Sequence, residues 1–293
     1  YKISILDIRT TYINQIIEIL VEEDLGRGDL TLPVVSSKKV YAYWTAKEAG
    51  VFCGKEIVKK IFNRVDPLIT IKSIATDKDR FLKDQRILEV EGPANSLIAA
   101  ERISLNMAMH LSGIATYTSK LVEELNGTGI KLADTRKTTP GLRILDKYAF
   151  RCGGGINHRM GLDDAAMLKE NHLAWSNNIK TSVLELKEVN PWPTQIIIEA
   201  ETPDQAKEAV SYGADGILLD EMEPSTIKKL IPELKDLAAQ RSQTKFSNKL
   251  VIEVSGIKPG LIKNYIISGV DIISTSSPIT KSNWADFSMR YKH

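Results

Sequence analysis

Cysteine is nearly missing: Cys53 and Cys152 are the only two in 293 residues. No disulfide framework is implied, and a reducing compartment fits best. No apolar run approaches the roughly 18 residues of a membrane span. Residues 1–17 carry charges and lack an uninterrupted apolar core, so they resemble neither a signal peptide nor an anchor. A cytoplasmic protein is the expectation; the chain opens on Tyr1 and not Met, which leaves a trimmed leader open. Charge imbalance is also small, with 39 Lys and Arg against 37 Asp and Glu, so any strong basic feature must be local. A general nucleic-acid binder should spread basic residues over a face, and this chain does not call for one. Without HExxH or paired His/Cys spacing, a zinc site is not expected. Without a GxSxG elbow, the serine-hydrolase reading falls away. The spaced GxGxxG of dinucleotide binders, with its acidic ribose reader, is missing too. There are no sequence repeats beyond a βα rhythm and no low-complexity segment.

What is present is concentrated. Residues 134–172, DTRKTTPGLRILDKYAFRCGGGINHRMGLDDAAMLKENH, thread Arg136, Lys137, Arg143, Lys147, Arg151, His158, Arg159, Lys169 and His172 between glycines and short apolar runs. Arginine forks grip carboxylate or phosphate in pairs. Glycines let an anion approach bare N–H groups. The stretch therefore reads as a site for a multiply charged anion, with Gly153-Gly154-Gly155 as part of its cradle. The blander reading is a solvated loop salt-bridged by Asp134.

Apolar residues make up 43% and charged residues 26%, a globular composition, and the length fits one large domain or two ordinary ones. Residues 11–24 have helical spacing. VYAYWTAKEAGVFCG and RILEVEGP read as strands, with the helical KEIVKKIFNRV between them. Residues 97–125 read as a long helix open to a break at Ser112-Gly113. After residue 129, short apolar runs end in polar residues: IKLADTRK, AAMLKENH, IIIEAE, GILLDE, LVIEVSG and VDIISTSS. Helical patterns such as TPDQAKEAVSYG and EPSTIKKLIPELKDLAAQ separate several of them. Strands alternating with helices imply parallel βα units, and strands buried on both faces suit a barrel or doubly wound sheet. In barrels, chemistry sits at the strands' carboxyl ends. Those ends would carry Arg136-Lys137, Lys169, Glu199 with Glu201, Asp220, Ser255, and Ser274 with Ser276. Glu199 and Glu201 alternate on one strand and share a face. With Asp220 they could hold Mg2+ through oxygen ligands. Lys169 reads first as a phosphate ligand, with a Schiff-base nucleophile or a rim residue as the other readings.

Taken together, EDLGRGDLT (23–31), AERISLNMAMHLSGIAT (100–116), DTRKTTPGLR (134–143), GGGINHRMGL (153–162), LKENH (168–172), EAE (199–201), LLDE (218–221) and EVSGI (253–257) resemble the quinolinate phosphoribosyltransferase family over nearly the whole chain. The resemblance implies an α/β protein with an N-terminal α/β sandwich domain, residues 1–112 plus 279–293. The rest, residues 113–278, would be an open α/β, TIM-like barrel. It implies a homodimer with a shared active site, or a hexamer. The implied reaction joins quinolinate to phosphoribosyl pyrophosphate (PRPP) with Mg2+, giving nicotinate mononucleotide, pyrophosphate and carbon dioxide. Carried over by motif, Arg136, His158, Arg159 and Arg102 would grip quinolinate's carboxylates, Arg102 from the neighbouring subunit. Lys137 and Lys169 would contact PRPP or the substrate. Glu201 and Asp220 would serve ribose and Mg2+, while Ser255, Gly256 and Ser276 would hold a phosphate end. Many relatives have glycine where Ser276 stands, and asparagine where Glu221 follows Asp220. A molybdenum-transport-associated paralogue is a rival, although that group usually loses the lysine matching Lys169. A nicotinate phosphoribosyltransferase would need fewer arginines. A Schiff-base aldolase barrel using Lys169, or a non-catalytic anion-binding protein, are the alternatives from other classes.

Overall fold

The computed structural model describes residues 10–35, 37–176, 178–241, 249–258 and 260–292. Residues 1–9, half of the charged opening stretch, lie outside the described residues. In chain order the elements are α1 (Thr10–Leu25), β1 (Lys39–Ala46), β2 (Gly50–Val51), α2 (Lys55–Val65), β3 (Thr70–Ile74), β4 (Arg80–Phe81), β5 (Arg86–Pro93) and α3 (Ala94–Glu124). They continue as β6 (Lys131–Ala133), α4 (Arg143–Cys152), β7 (Ala166–Leu168), α5 (Glu170–Trp175), α6 (Ile179–Val189), β8 (Ile196–Ala200) and α7 (Pro203–Ser211). Last come β9 (Gly216–Asp220), α8 (Pro224–Arg241), β10 (Val251–Ser255), β11 (Ile272–Ser274), α9 (Ser277–Thr280) and β12 (Phe287–Lys292). Two compact units result. The first comprises Tyr1–Ser119, Thr139–Gly154 and Pro278–His293, and the second comprises Lys120–Thr138 and Gly155–Ser277.

In the first unit an antiparallel sheet runs β12-β1-β5-β3. Alternation along β1 buries Ala42, Trp44 and Ala46 on one face. There Trp44 and Phe81 meet Phe287 of β12, a strand the sequence reading passed over. Helix α2 starts where Asp77 accepts the backbone N–H groups of Gly54 and Lys55, at 2.8 and 2.9 Å. A carboxylate there satisfies orphan donors and complements the helix dipole.

The sequence reading placed a domain boundary at 112/113 and allowed a helix break at Ser112-Gly113. Helix α3 runs through both residues unbroken. A Cβ on Gly113 would lie 2.2 Å from the carbonyl oxygen of Asn283, so the glycine makes room for a neighbouring backbone and does not bend the helix. By compactness the first unit includes α3 as far as Ser119. The same unit takes back residues 139–154, because α4 buries Ile144, Leu145, Ala149 and Phe150 within it. Its Asp146 meets His110 of α3 at 2.7 Å.

The second unit is a parallel sheet ordered β6-β11-β10-β9-β8-β7, with α5 to α8 in the connections from β7 through β10 and with β6 and β7 at its open edges. This is the open α/β-barrel pattern that the resemblance implies, one of the two architectures that the βα rhythm left open. Strand β9 buries Gly216 to Leu219 without alternation, as expected for a strand covered on both faces. Helix α7 is set by a capping box: Thr202 accepts from the N–H of Gln205, and the Gln205 side chain reaches back to the Thr202 N–H, with Pro203 following the cap.

Candidate active site

The chemistry-bearing residues of the second unit lie at the carboxyl ends of its strands. Arg136 and Lys137 follow β6, Lys169 follows β7, Glu199 and Glu201 end β8, and Asp220 ends β9. Ser255 ends β10, with Gly256 after it, and Ser276 lies just past β11. The local fold there is built on Asp134. This fully buried carboxylate accepts from Asn157 Nδ2 at 2.5 Å and from the His158 N–H at 2.9 Å. The NHR segment is thereby tied to the end of β6, with Ala133 and Ile156 bridged in parallel. Asp134 is thus an anchor for the loop and not the surface counter-ion of the blander reading.

His158 has both ring nitrogens engaged. Its Nδ1 accepts the Arg159 N–H at 2.7 Å, and its Nε2 faces Glu253 Oε2 at 3.2 Å. Arg159 is buried, 8% exposed, and donates to the Ala165 carbonyl at 2.9 Å. Burial, seconded by the charge of Arg136, holds its guanidinium below the ordinary arginine range, against the pull of Glu199. Glu199 also ion-pairs with Lys169. Arg136, His158, Arg159 and Lys169 therefore form one connected cluster, while Lys137 sits on the exposed loop turned by Thr135.

The carboxylate side is equally connected. Glu201 is pushed above its usual range, first by a side-chain hydrogen bond and charge from Glu170, then by burial and by Asp220 and Glu199. Asp220 accepts from Ser255 Oγ at 2.5 Å. Gly256 has φ +73°, and a Cβ there would meet Glu221 Cγ at 2.5 Å and Asp220 Oδ1 at 3.1 Å. Only glycine lets the backbone pass this close to the carboxylates. Beyond β11, Thr275 and Ser277 hydroxyls pair at 2.9 Å around Ser276.

Some members of the cationic stretch fall in the first unit. Arg143, Lys147 and Arg151 lie on α4 in the first unit, and Lys147 is completely buried. Gly153, read as part of an anion cradle, packs against α3: its Cβ would lie 2.4 Å from the Ala115 carbonyl and 2.5 Å from Thr118 Cβ. Arg102 is an exposed residue of α3, in the first unit. Glu170 and Glu253 were missed. The mark of Glu253 was a single carboxylate inside the apolar run LVIEVSG.

Comparison with known proteins gives one answer. Residues 27–112 match the N-terminal domain, and residues 114–290 the C-terminal domain, of quinolinate phosphoribosyl transferase. A probable nicotinate-nucleotide pyrophosphorylase [carboxylating] of Bacillus subtilis is 37% identical over 267 residues, covering 89% of this chain and 91% of its own. Its namesake in Synechocystis is 36% identical over 271 residues, covering 92% and 88%. The solved nicotinate-nucleotide pyrophosphorylase from Francisella tularensis superposes with a TM-score of 0.89 at 30% identity, covering all of both chains. Two domain matches spanning most of the sequence, in the order of the fold, settle the kinship: this chain belongs to the quinolinate phosphoribosyl transferase family.

Proposed function

We propose that this enzyme transfers phosphoribosyl from PRPP to quinolinate and releases carbon dioxide, pyrophosphate and nicotinate mononucleotide. The observation that carries the reading is Arg159: a buried guanidinium set against the like charge of Arg136, an arrangement that a bound dianion relieves. Arg136 and Arg159 take the carboxylates of quinolinate. Lys169 stands beside them, held by Glu199, and Lys137 on the exposed loop meets the phosphates. An ammonium kept in an ion pair has no free lone pair, which counts against the Schiff-base alternative.

In the transfer step the pyridine nitrogen bonds to the anomeric carbon as the bond to pyrophosphate breaks. The ribose passes through a cation-like state, which the carboxylates of Glu201 and Asp220, at neighbouring strand ends, would steady. The ring nitrogen is then positive. When the adjacent carboxylate leaves as carbon dioxide, the electron pair left on the ring carbon is stabilised by that charge and takes up a proton. Transfer therefore precedes decarboxylation, and no covalent bond to the enzyme forms.

Among the described residues, no group of three or more His, Cys, Asp or Glu is arranged to hold a metal by itself. Mg2+ commonly takes one or two carboxylates plus substrate phosphates. Glu201 and Asp220 fit that pattern, because their crowding with Glu170 and Glu199 leaves negative charge to be offset. When bound, the cation would neutralise the departing pyrophosphate. Ser255, Gly256 and Ser276 would hold a phosphate end. Exposed Arg102 would complete a partner's site in a homodimer, and the enzyme would act in the cytoplasm.

Purified protein given quinolinate, PRPP and Mg2+ should form nicotinate mononucleotide. Product from nicotinate but none from quinolinate would reassign the substrate. Mixing Arg102→Ala subunits with subunits inactivated at Lys169 should restore activity if sites are shared; no restoration would refute sharing.

A further inference from the structure

The carboxylate of Glu253 sits in the middle of β10, between Ile252 and Val254, and is 4% exposed. Burying an ionisable group among apolar side chains is unfavourable unless partners compensate. Its Oε2 faces His158 Nε2, but its Oε1 is buried with no hydrogen-bond partner. A strand whose neighbours are apolar would be more stable with an aliphatic residue here, so the carboxylate is kept for something other than the core.

The other side of the imidazole says what that is. His158 Nδ1 accepts the N–H of Arg159, so Nδ1 is unprotonated and the ring proton resides on Nε2, where it points at Glu253. A carboxylate opposite Nε2 selects this tautomer. Turning the proton to Nδ1 would set two donors against each other at 2.7 Å and two acceptors against each other at 3.2 Å. Resting on the substrate assignment above, we infer that Glu253 is a positioning residue. Through the His158 tautomer it fixes the Arg159 backbone, and with it the guanidinium that takes a quinolinate carboxylate.

The test combines spectroscopy with kinetics. In protein labelled with 15N-histidine, the His158 ring, identified by its loss in His158→Asn, should show a protonated Nε2 and a bare Nδ1. A proton on Nδ1 overturns the inference in the wild-type protein, whatever any variant does. That readout needs no turnover, so a failure of the substrate assignment would be seen separately, as absent product with the tautomer intact. Glu253→Ala should raise KM for quinolinate about tenfold or more, as loss of an ordering hydrogen bond at a charged site does, while KM for PRPP stays within about twofold. Glu253→Gln keeps an acceptor oxygen and should recover most of that loss. A folded Glu253→Ala protein with unchanged quinolinate KM, or one changed only in melting temperature, would show that the carboxylate has no positioning role.

Discussion

Replacing Arg159 by Met separates a residue kept for ligand from one kept for the fold. Methionine retains most of the volume and removes the charge. In the free protein the guanidinium gains one hydrogen bond, to the Ala165 carbonyl at 2.9 Å, and the attraction of Glu199, and is opposed by burial and by Arg136. One such bond contributes about 1.5–3 kcal/mol when charged, and the opposing effects are of the same order. Folding stability should thus move by no more than about 1 kcal/mol, a melting shift of roughly 2–4 °C. Binding behaves differently. Two charge-assisted bonds to one carboxylate are lost, about 3–5 kcal/mol in all, or roughly 10²- to 10⁴-fold in kcat/KM for quinolinate. Steady-state assays with quinolinate varied at saturating PRPP, alongside calorimetric melts, measure both. A variant that melts more than about 10 °C lower while keeping wild-type kcat/KM would refute the reasoning, because Arg159 would then be structural.

Ser255→Ala removes the 2.5 Å bond to Asp220 and should lower kcat/KM for PRPP about tenfold, with quinolinate KM little changed. Gly153→Ala drives a methyl group into the Ala115 carbonyl and Thr118, and denaturant unfolding should report a loss of about 1–3 kcal/mol. Burial pushes the Cys53 thiol well up from its ordinary 9.0, so in the native state it stays protonated near neutral pH and iodoacetamide should label it only as fast as the protein unfolds. Because the unfolded thiol ionises first, stability should begin to fall as the pH rises past about 9 and keep falling toward the folded value; Cys53→Ala should flatten that slope.

Much of this was readable in the letters because its physics is local. The runs IIIEAE and GILLDE become β8 and β9 since apolar segments of that length, closed by a carboxylate, bury both faces and expose an end. The site residues at those ends followed from the same pattern. Helix α4 was obscured by its charges: Arg143, Lys147 and Arg151 drew attention from Ile144, Leu145, Ala149 and Phe150, whose spacing is helical. Gly113 and Gly153 were misread because a glycine chosen for close approach looks, in sequence, like one chosen for flexibility or for a ligand. Glu253 and Glu170 were silent because their meaning lies in residues 95 and 31 positions away, His158 and Glu201.

The segment that ties His158 to Asp134 also runs along an outer margin of the open sheet. Ile156 donates to the Leu132 carbonyl at 2.8 Å and accepts from the Asp134 N–H at 3.2 Å, filling bonds that β6 would otherwise present to another chain. Unsheathed strand margins recruit foreign strands. Lesions in residues 155–158 should therefore have a double phenotype, with weakened turnover accompanied by self-association on storage, and solubility screens would detect the second even where kinetics are not followed.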